Sequence, residues 1–250
     1  MPMTPRLAVT EGTAAVYESL RDLVPIIQGP PMPPFEVSNA SQGSFALLSG
    51  PPRMLDRRRT LSVSLSPTAV VVETSAYSHF EEFAEVIERT MEALATAAQV
   101  AGIQRVGLRY IDEIRVDDVR ELADWASYVN PSLLAGVTLS EGLTPLRTEG
   151  LAEFDIGNGQ RTVMRFGAMR GWVADPSGPL RLRRSADGLF FLLDIDSFWQ
   201  PGDEGPPEFS KEAVLDTCAK LREPIRRIFE SSITEKLREE VLRKEVRTSE

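Results

Sequence analysis

The sequence predicts an α+β protein in which antiparallel sheets are covered on one face by long amphipathic helices. Several short segments alternate apolar and polar residues, which is the pattern of a half-buried strand. Two long segments carry apolar residues at three- and four-residue steps, which is the pattern of an amphipathic helix. A lone hairpin is only marginally stable, whereas strands covered by a helix can bury one face, so the two patterns support one fold class.

Composition narrows the class of protein further. The chain has 250 residues, 42% hydrophobic and 26% charged, which is an ordinary globular composition. The net charge of -9 weighs against a general nucleic-acid binder. The single cysteine and single histidine exclude an internal disulfide framework and a zinc site with several histidines in one chain, and we expect no cofactor. Since there is neither a long apolar run nor a signal-peptide layout at Met1–Arg6, we expect a cytoplasmic protein without a membrane partner.

The first half of the chain predicts two helices and four strands. Val9–Ile27 has helical spacing, and the proline-rich stretch Gly29–Pro34 predicts a stiff connector. Ser49–Asp56 is predicted to be a loop. The clearest helix is Ser78–Gly102, in which Ser78 and Glu81 have capping-box spacing and an apolar stripe includes Phe83, Ile87 and Leu94. The predicted strands are Phe35–Leu48, Thr60–Ser66, Ala69–Thr74 and Ile103–Val116.

The second half repeats this order of strands followed by a helix. Gly157-Asn158-Gly159 predicts a tight hairpin turn, because such turns need positive φ angles. Ser210–Ser232 predicts a helix that Pro224 should kink or divide. A charged helix is predicted over Thr234–Val246. Because the segment Thr234–Glu250 has few apolar residues, we expect it to contribute little to the core and to dock on a neighbouring subunit or a partner. The predicted strands are Leu133–Leu139, Gly150–Ile156, Arg161–Trp172 and a hairpin of Leu180–Ala186 with Leu189–Asp196.

These patterns suggest a duplicated strand-strand-helix unit, which we treat as a hypothesis because the two halves share few identical residues. The predicted organisation is an N-terminal helix and connector (residues 1–34), a first sheet-and-helix lobe (35–130) and a second lobe with the C-terminal helices (131–250). The two lobes could share one sheet and form one domain.

Three stretches resemble a sporadically distributed bacterial family of uncharacterised proteins of about this length. They are residues 61–77 with Phe83, then Arg-Val-Gly-Leu-Arg-Tyr-Ile-Asp-Glu-Ile at 105–114, and residues 225–234, which end in Ile-Phe-Glu-Ser-Ser-Ile-Thr. The chain departs from the family pattern at Asp112, where asparagine is expected, and in its proline-rich opening. The resemblance implies a fold and supplies no catalytic residues. The patchy distribution of the family implies genes of mobile or defence islands.

Two sets of residues are candidates for a site. Arg109, Tyr110, Asp112 and Glu113 lie on one predicted strand and could form a ligand- or partner-binding strip. The alternative is a structural role in which Arg109 pairs with a carboxylate. Asp194 and Asp196 share one face of a strand and are weak candidates for a Mg²⁺ site. The alternative is a solvated strand end, at which both aspartates could be replaced by asparagine at little cost.

The remaining candidates each have an ordinary structural explanation. His79 is expected at an exposed helix start, and Cys218 as a small buried apolar residue rather than a reactive thiol. The two arginine clusters are expected to be solvated strand faces or to protect strand edges, and they are the local feature that could contact nucleic acid or phosphate. These clusters are Arg57, Arg58 and Arg59, and Arg181, Arg183 and Arg184.

No catalytic constellation emerges from the sequence. We therefore expect a non-catalytic binding or regulatory protein with a protein partner or a homo-oligomeric assembly, in a bacterial defence or toxin-neutralising system. Its binding surface would be a sheet face or an exposed strand edge. Two alternatives stay open: a metal-dependent nuclease or nucleotide-processing enzyme that uses Asp194 and Asp196, and a small-ligand sensor with a pocket between sheet and helices.

Overall fold

The chain forms two compact units, each with its own four-stranded antiparallel sheet, so the predicted α+β class is confirmed. The computed structural model describes residues 10–28, 53–98, 100–139, 142–173, 178–181, 188–203 and 205–242. The first unit comprises Met1–Gln104, Pro176–Arg183 and Pro206–Leu215. The second comprises Arg105–Asp175, Arg184–Gly205 and Asp216–Glu250. In the described residues, no helix combines the length and the apolar character needed to cross a membrane.

The first unit holds a sheet whose strands are adjacent in chain order. Its elements are α1 (Thr10–Leu20), β1 (Ile26–Gln28), β2 (Arg53–Leu55), β3 (Leu61–Leu65), β4 (Val70–Thr74) and α2 (Phe80–Ala97). The strand order is β1-β2-β3-β4, and Val63 of β3 pairs with Val72 of β4. The two strands predicted at 60–66 and 69–74 are therefore present as an antiparallel pair.

Two elements of the first unit differ from the prediction. The helix predicted to reach Ile27 ends at Leu20, because Pro25 cannot continue a helix and restricts the residue before it. Ile26–Gln28 instead forms β1, which pairs with β2 in the segment predicted to be a loop. The predicted connector Gly29–Pro34 and strand Phe35–Leu48 lie outside the described residues.

Helix α2 is present, but its first turn is not the predicted capping box. Its N-cap residue is His79, which makes no side-chain cap, while the Ser78 hydroxyl donates to the Glu82 carboxylate. Ile87 and Leu94 are buried as expected, whereas Phe83 is only half-buried and packs edge-on against Tyr77 at 6.4 Å between ring centroids.

The second unit pairs its first strand with its last. Its strands are β5 (Val106–Ile114), β6 (Thr148–Gly157), β7 (Gln160–Gly171) and β8 (Gly188–Trp199), in the order β5-β8-β7-β6. Asn158 and its two flanking glycines have positive φ in the turn between β6 and β7, as predicted. Helix α3 (Lys211–Ser232) contains Pro224 and is followed by α4 (Glu235–Leu237) and a π-helical turn (Arg238–Leu242).

The core of the second unit is built around Trp125, which is fully buried. Trp125 lies in the first of two 3₁₀ segments, Leu122–Ser127 and Pro131–Thr138, and its ring centroid is 5.7 Å from that of Phe191 on β8. The other buried members of this Trp125 cluster are Ile114, Val119, Leu122, Tyr128, Val129, Leu134, Ala168, Ile233 and Leu237.

Three further predictions in the second unit need correction. The strand predicted at Leu133–Leu139 is the second 3₁₀ segment, which begins after Asn130, whose side chain accepts from the Ser132 amide at 3.1 Å. The hairpin partner predicted at Leu180–Ala186 is replaced by β7, which pairs with the whole of β8, while residues 182–187 lie outside the description. Because β5 pairs with β8, the chain passes into the second unit at Arg105 rather than near residue 131.

The C-terminal segment also differs from the prediction. We expected Thr234–Val246 to contribute little to the core, yet Leu237 is fully buried in the Trp125 cluster, and Val241 and Leu242 pack against it. The Thr234 hydroxyl donates to the Ser127 carbonyl at 2.8 Å, and the Thr234 amide donates to the Tyr128 carbonyl at 2.9 Å. These bonds hold α4 on the first 3₁₀ segment.

Candidate functional site

Strand β5 divides the four predicted site residues between the two faces of its sheet. Side chains alternate along a strand, so Arg109 and Glu113 lie on one face, and Tyr110 and Asp112 lie on the other with Ile114. Ile114 belongs to the Trp125 cluster, so the second face is the covered one. The four residues therefore do not form a single binding strip.

The opposite face of this sheet carries charged residues and is exposed on its two edge strands, β5 and β6. One row across the sheet consists of Ile111 on β5, Asp194 on β8, Arg165 on β7 and Leu151 on β6. Ile111 and Leu151 are 50% and 61% exposed, although both are apolar. We call the residues of this row, with Arg109 and Asp196 of the next row, the open face.

Asp194 is the most buried charged group of the open face. Its side chain is 2% exposed, and it accepts from Arg109 Nε at 2.6 Å and from Arg109 Nη2 at 2.7 Å. Arg165 Nη1 lies 3.8 Å from its second oxygen. The hydrogen bonds to Asp194 raise the pKa of Arg109, so its guanidinium stays charged. One alternative from the sequence is a structural role in which Arg109 pairs with a carboxylate, and Asp194 is that carboxylate.

The neighbouring Asp196 is also paired with an arginine. It accepts from Arg105 Nη2 at 3.1 Å, and the same guanidinium lies 4.3 Å from the centre of the Phe198 ring. Both carboxylates of the weak Mg²⁺ candidate are therefore engaged by arginines. Among the described residues no group of three or more His, Cys, Asp or Glu side chains could hold a metal ion. Moreover, Asp194 is not at the solvated strand end that we expected.

Asp112 is an unusual group for the covered face. Burial, followed by the nearby negative charge of Asp194, raises the pKa of Asp112 to about 6. No cation of the described residues forms an ion pair with its carboxylate. A carboxyl group whose pKa is raised by folding is expected to lower the stability of the second unit at neutral pH.

Glu113 anchors the chain that leaves β7. Its carboxylate accepts from Arg115 Nε at 2.8 Å and from the Val173 amide at 2.7 Å. Arg115 also donates to the Gly171 carbonyl and lies 5.2 Å from the centre of the Phe190 ring. These contacts indicate that Glu113 helps to fix the position of the segment that follows β7. Tyr110 is half-buried on the covered face.

The single histidine and the single cysteine lie in different units of the chain. His79 lies in the first unit and is half-exposed, with Nδ1 2.8 Å from the Ser78 hydroxyl. Cys218 lies in the part of α3 that belongs to the second unit. Burial raises the pKa of its thiol to about 11, so it carries almost no thiolate at neutral pH.

Two shallow grooves on the first unit bear on the small-ligand alternative. One has a volume of about 260 Å³ and lies beside Ser19 and Arg89; the other has about 290 Å³ and lies beside Tyr17 and Met54. Pockets for small molecules usually enclose roughly 300–1,000 Å³. Both grooves are therefore at or just below the lower end of that range.

The sequence did not indicate where apolar surface would be left exposed. Six of the eleven large apolar residues that are exposed in the described part of the chain lie in segment 139–156, in β6 or just before it. They are Leu139, Leu143, Leu146, Leu151, Phe154 and Ile156. Their spacing in the sequence does not distinguish them from buried residues. Leu151 and Phe154, for example, lie in a segment that has the pattern of an ordinary strand.

β6 is also an edge strand, paired only with β7 in the sheet order. It is ten residues long, and within the described residues no backbone hydrogen bond satisfies its outer edge. A long edge strand with exposed apolar side chains is a template for pairing with another chain. The β6 edge is therefore the strongest candidate interaction site.

Comparison with family models, curated proteins and solved structures finds no match to this chain.

Proposed function

We propose that this is a non-catalytic binding protein that takes up an extended segment of a protein partner along the outer edge of β6. The observation that carries the proposal is the concentration of exposed apolar residues in segment 139–156, beside a strand edge with which no strand of the described residues pairs. Large exposed apolar surface commonly marks an interaction site. An added strand would bond to the β6 backbone, and its alternate side chains would contact the two faces of the sheet.

The charges along β6 favour a partner segment with apolar and basic residues. Glu149, Glu153 and Asp155 of β6 lie on the same side of the sheet as the open face. Arg147 pairs with Glu149 at 2.6 Å, and Arg161 pairs with Glu153 at 3.4 Å. These side chains carry three negative charges and two positive charges, so the net charge along β6 is negative. A second copy of β6 would bring the same three carboxylates to the shared edge, which disfavours self-pairing. On the family resemblance alone, we place the partner in a bacterial defence or toxin-neutralising system.

The proposal can be tested by site-specific photo-cross-linking in the native host. A photoreactive amino acid replaces Leu151 on the β6 edge strand, and a matched control replaces Ile111, which is similarly exposed on the other edge strand of the same sheet. We expect a cross-link to another protein from position 151 and none from position 111. The double variant L151K/F154K should weaken the isolated complex at least tenfold.

Three outcomes would overturn the proposal. They are equal cross-linking from both positions, no cross-link from position 151, and a product with the mass of two copies of this chain. Mg²⁺-dependent cleavage of nucleic acid or nucleotides by the purified protein would favour the enzyme alternative instead.

A further inference from the structure

The first unit brings together two arginine groups that are more than 120 residues apart in the sequence. Arg57, Arg58 and Arg59 occupy the turn between β2 and β3, where all three are exposed. Asp56 shapes this turn, because its carboxylate accepts from the Thr60 and Leu61 amides at 2.6 and 2.8 Å. The turn therefore projects three guanidinium groups from a fixed loop.

Arg181 is held directly beside this turn. Its amide donates to the Arg59 carbonyl at 2.7 Å, and its carbonyl accepts from the Ser75 hydroxyl, also at 2.7 Å. Arg59 has a φ of 58°, a left-handed conformation that orients its carbonyl in this turn. We call Arg57, Arg58, Arg59 and Arg181 the arginine patch. Arg183 and Arg184 lie outside the described residues.

The arginine patch is not neutralised by its surroundings. Within the described part of the chain, none of its four side chains forms an ion pair. Burial alone would raise the pKa of Asp56, but hydrogen bonds from Leu61, Thr60 and Arg58 outweigh it and hold that pKa below its ordinary value. Asp56 therefore adds one negative charge beside the four arginines, which still leaves the patch positively charged. The nearby Glu73 carboxylate forms an ion pair with Arg53 at 2.7 Å and accepts a hydrogen bond from the Ser62 hydroxyl at 3.0 Å. Positive charge is therefore concentrated locally in a chain of net charge -9.

We infer that the arginine patch binds the phosphodiester backbone of single-stranded nucleic acid. Guanidinium groups form paired hydrogen bonds with phosphate oxygens. Tyr77, which is 41% exposed and two residues beyond Ser75, offers a ring on which an unpaired base can stack. A duplex presents a much denser line of phosphates, which the overall charge of -9 repels. This inference is independent of the partner proposed for β6.

Anionic membrane is the less favoured ligand for this patch. Stable membrane binding needs inserted apolar groups or a lipid anchor in addition to basic residues. The described residues of the patch are all arginines. Within four residues of Ser75, the large exposed apolar side chains are Val71 and Tyr77, which are 46% and 41% exposed. Phosphate contact without insertion therefore fits the composition of the patch better.

The test measures fluorescence anisotropy of labelled 20-nucleotide single strands, of DNA and of RNA, with the full chain. A variant R57E/R58E/R181E reverses the patch. The matched control R21E/R161E/R226E makes the same change in net charge at three exposed arginines elsewhere. Thermal unfolding of each variant checks its fold, and the milder R57Q/R58Q/R181Q replaces the first variant if it does not fold.

We expect the patch variant to bind at least tenfold more weakly and the control to bind within about threefold of the unchanged protein. With three or four phosphate contacts, affinity should fall roughly 20- to 50-fold between 50 and 200 mM salt. The inference is overturned if no strand binds at 50 mM salt, if both variants lose affinity equally, if a duplex of the same length binds more tightly, or if anionic phosphatidylserine vesicles bind with the same dependence on the patch.

Discussion

Arg109 of β5 holds the buried carboxylate of Asp194 on β8 through two parallel hydrogen bonds of 2.6 and 2.7 Å. The Arg109 side chain is 44% exposed, whereas Asp194 is almost inaccessible to solvent. The guanidinium therefore acts as the main counter-ion of a charge that water does not reach, and it joins the edge strand β5 to the centre of the sheet.

Arg109→Ala should lower the free energy of unfolding of the second unit by about 2–3 kcal/mol, because Asp194 would be left buried with only Arg165 at 3.8 Å. All three tryptophans lie in this unit, so urea unfolding followed by tryptophan fluorescence reports on it specifically. The control Arg161→Ala removes an exposed pair and should cost less than about 1 kcal/mol. Equal losses in the two variants would mean that Asp194 does not depend on Arg109.

Asp112→Asn should stabilise the second unit at neutral pH. The pKa of Asp112 is about 6 in the folded chain against an ordinary value of 3.8, so the folded state binds more protons between these values. Stability is then lost as the pH rises from about 4 to 6, and the penalty above that window is about 2–3 kcal/mol. The asparagine variant should gain this amount at pH 8 and little at pH 4.

The measurement is urea unfolding at pH 4, 5, 6 and 8, followed by tryptophan fluorescence. Asp117→Asn, at an exposed position three residues after Ile114, serves as the control and should leave the pH dependence unchanged. If Asp112→Asn retained the full loss of stability between pH 4 and 6, another group would be responsible for it.

The strands were predictable wherever apolar and polar residues alternate locally. The alternation at Thr60–Ser66 and the Gly-Asn-Gly turn identified β3 and the hairpin of β6 and β7 without knowledge of tertiary contacts. Leu133–Leu139 misled because its apolar residues fit a strand, while Pro131 and the Asn130 cap favour a 3₁₀ turn at the same place. Local chemistry at the start of the segment thus outweighed its apolar pattern.

The site depended on pairings that a single sequence does not contain. β8 could have paired with the segment before it, and only its register with β5 brings Asp194 beside Arg109, 85 residues away. The same holds for Arg181 and Arg59, whose hydrogen bond joins two clusters that the sequence could only identify separately. Residue types could thus be selected in advance, but their partners could not.

Because Phe83 is only half-buried in α2, its truncation should destabilise the first unit less than truncation of the buried Leu94 in the same helix. Leu94→Ala removes a side chain that is 1% exposed and should cost about 2–5 kcal/mol in the first unit. Phe83→Ala removes a partly buried ring packed on Tyr77 and should cost only about 1–2 kcal/mol. Thermal unfolding followed by far-ultraviolet circular dichroism would measure both losses. A larger loss at Phe83 than at Leu94 would contradict the burial described for this helix.

Leu237→Ala should destabilise the second unit by about 2–4 kcal/mol, because it opens a cavity in the Trp125 cluster. The hydrogen bonds that Thr234 donates to Ser127 and Tyr128 hold α4 in place. The cluster therefore cannot easily close over the missing side chain. Tryptophan fluorescence during urea unfolding measures the loss, and Leu146→Ala, at a position that is 83% exposed, should change stability by less than about 0.5 kcal/mol. If Leu237→Ala were as mild as its control while assembly with a partner was lost, α4 would be a docking helix, as its charged sequence first indicated, and not part of the core.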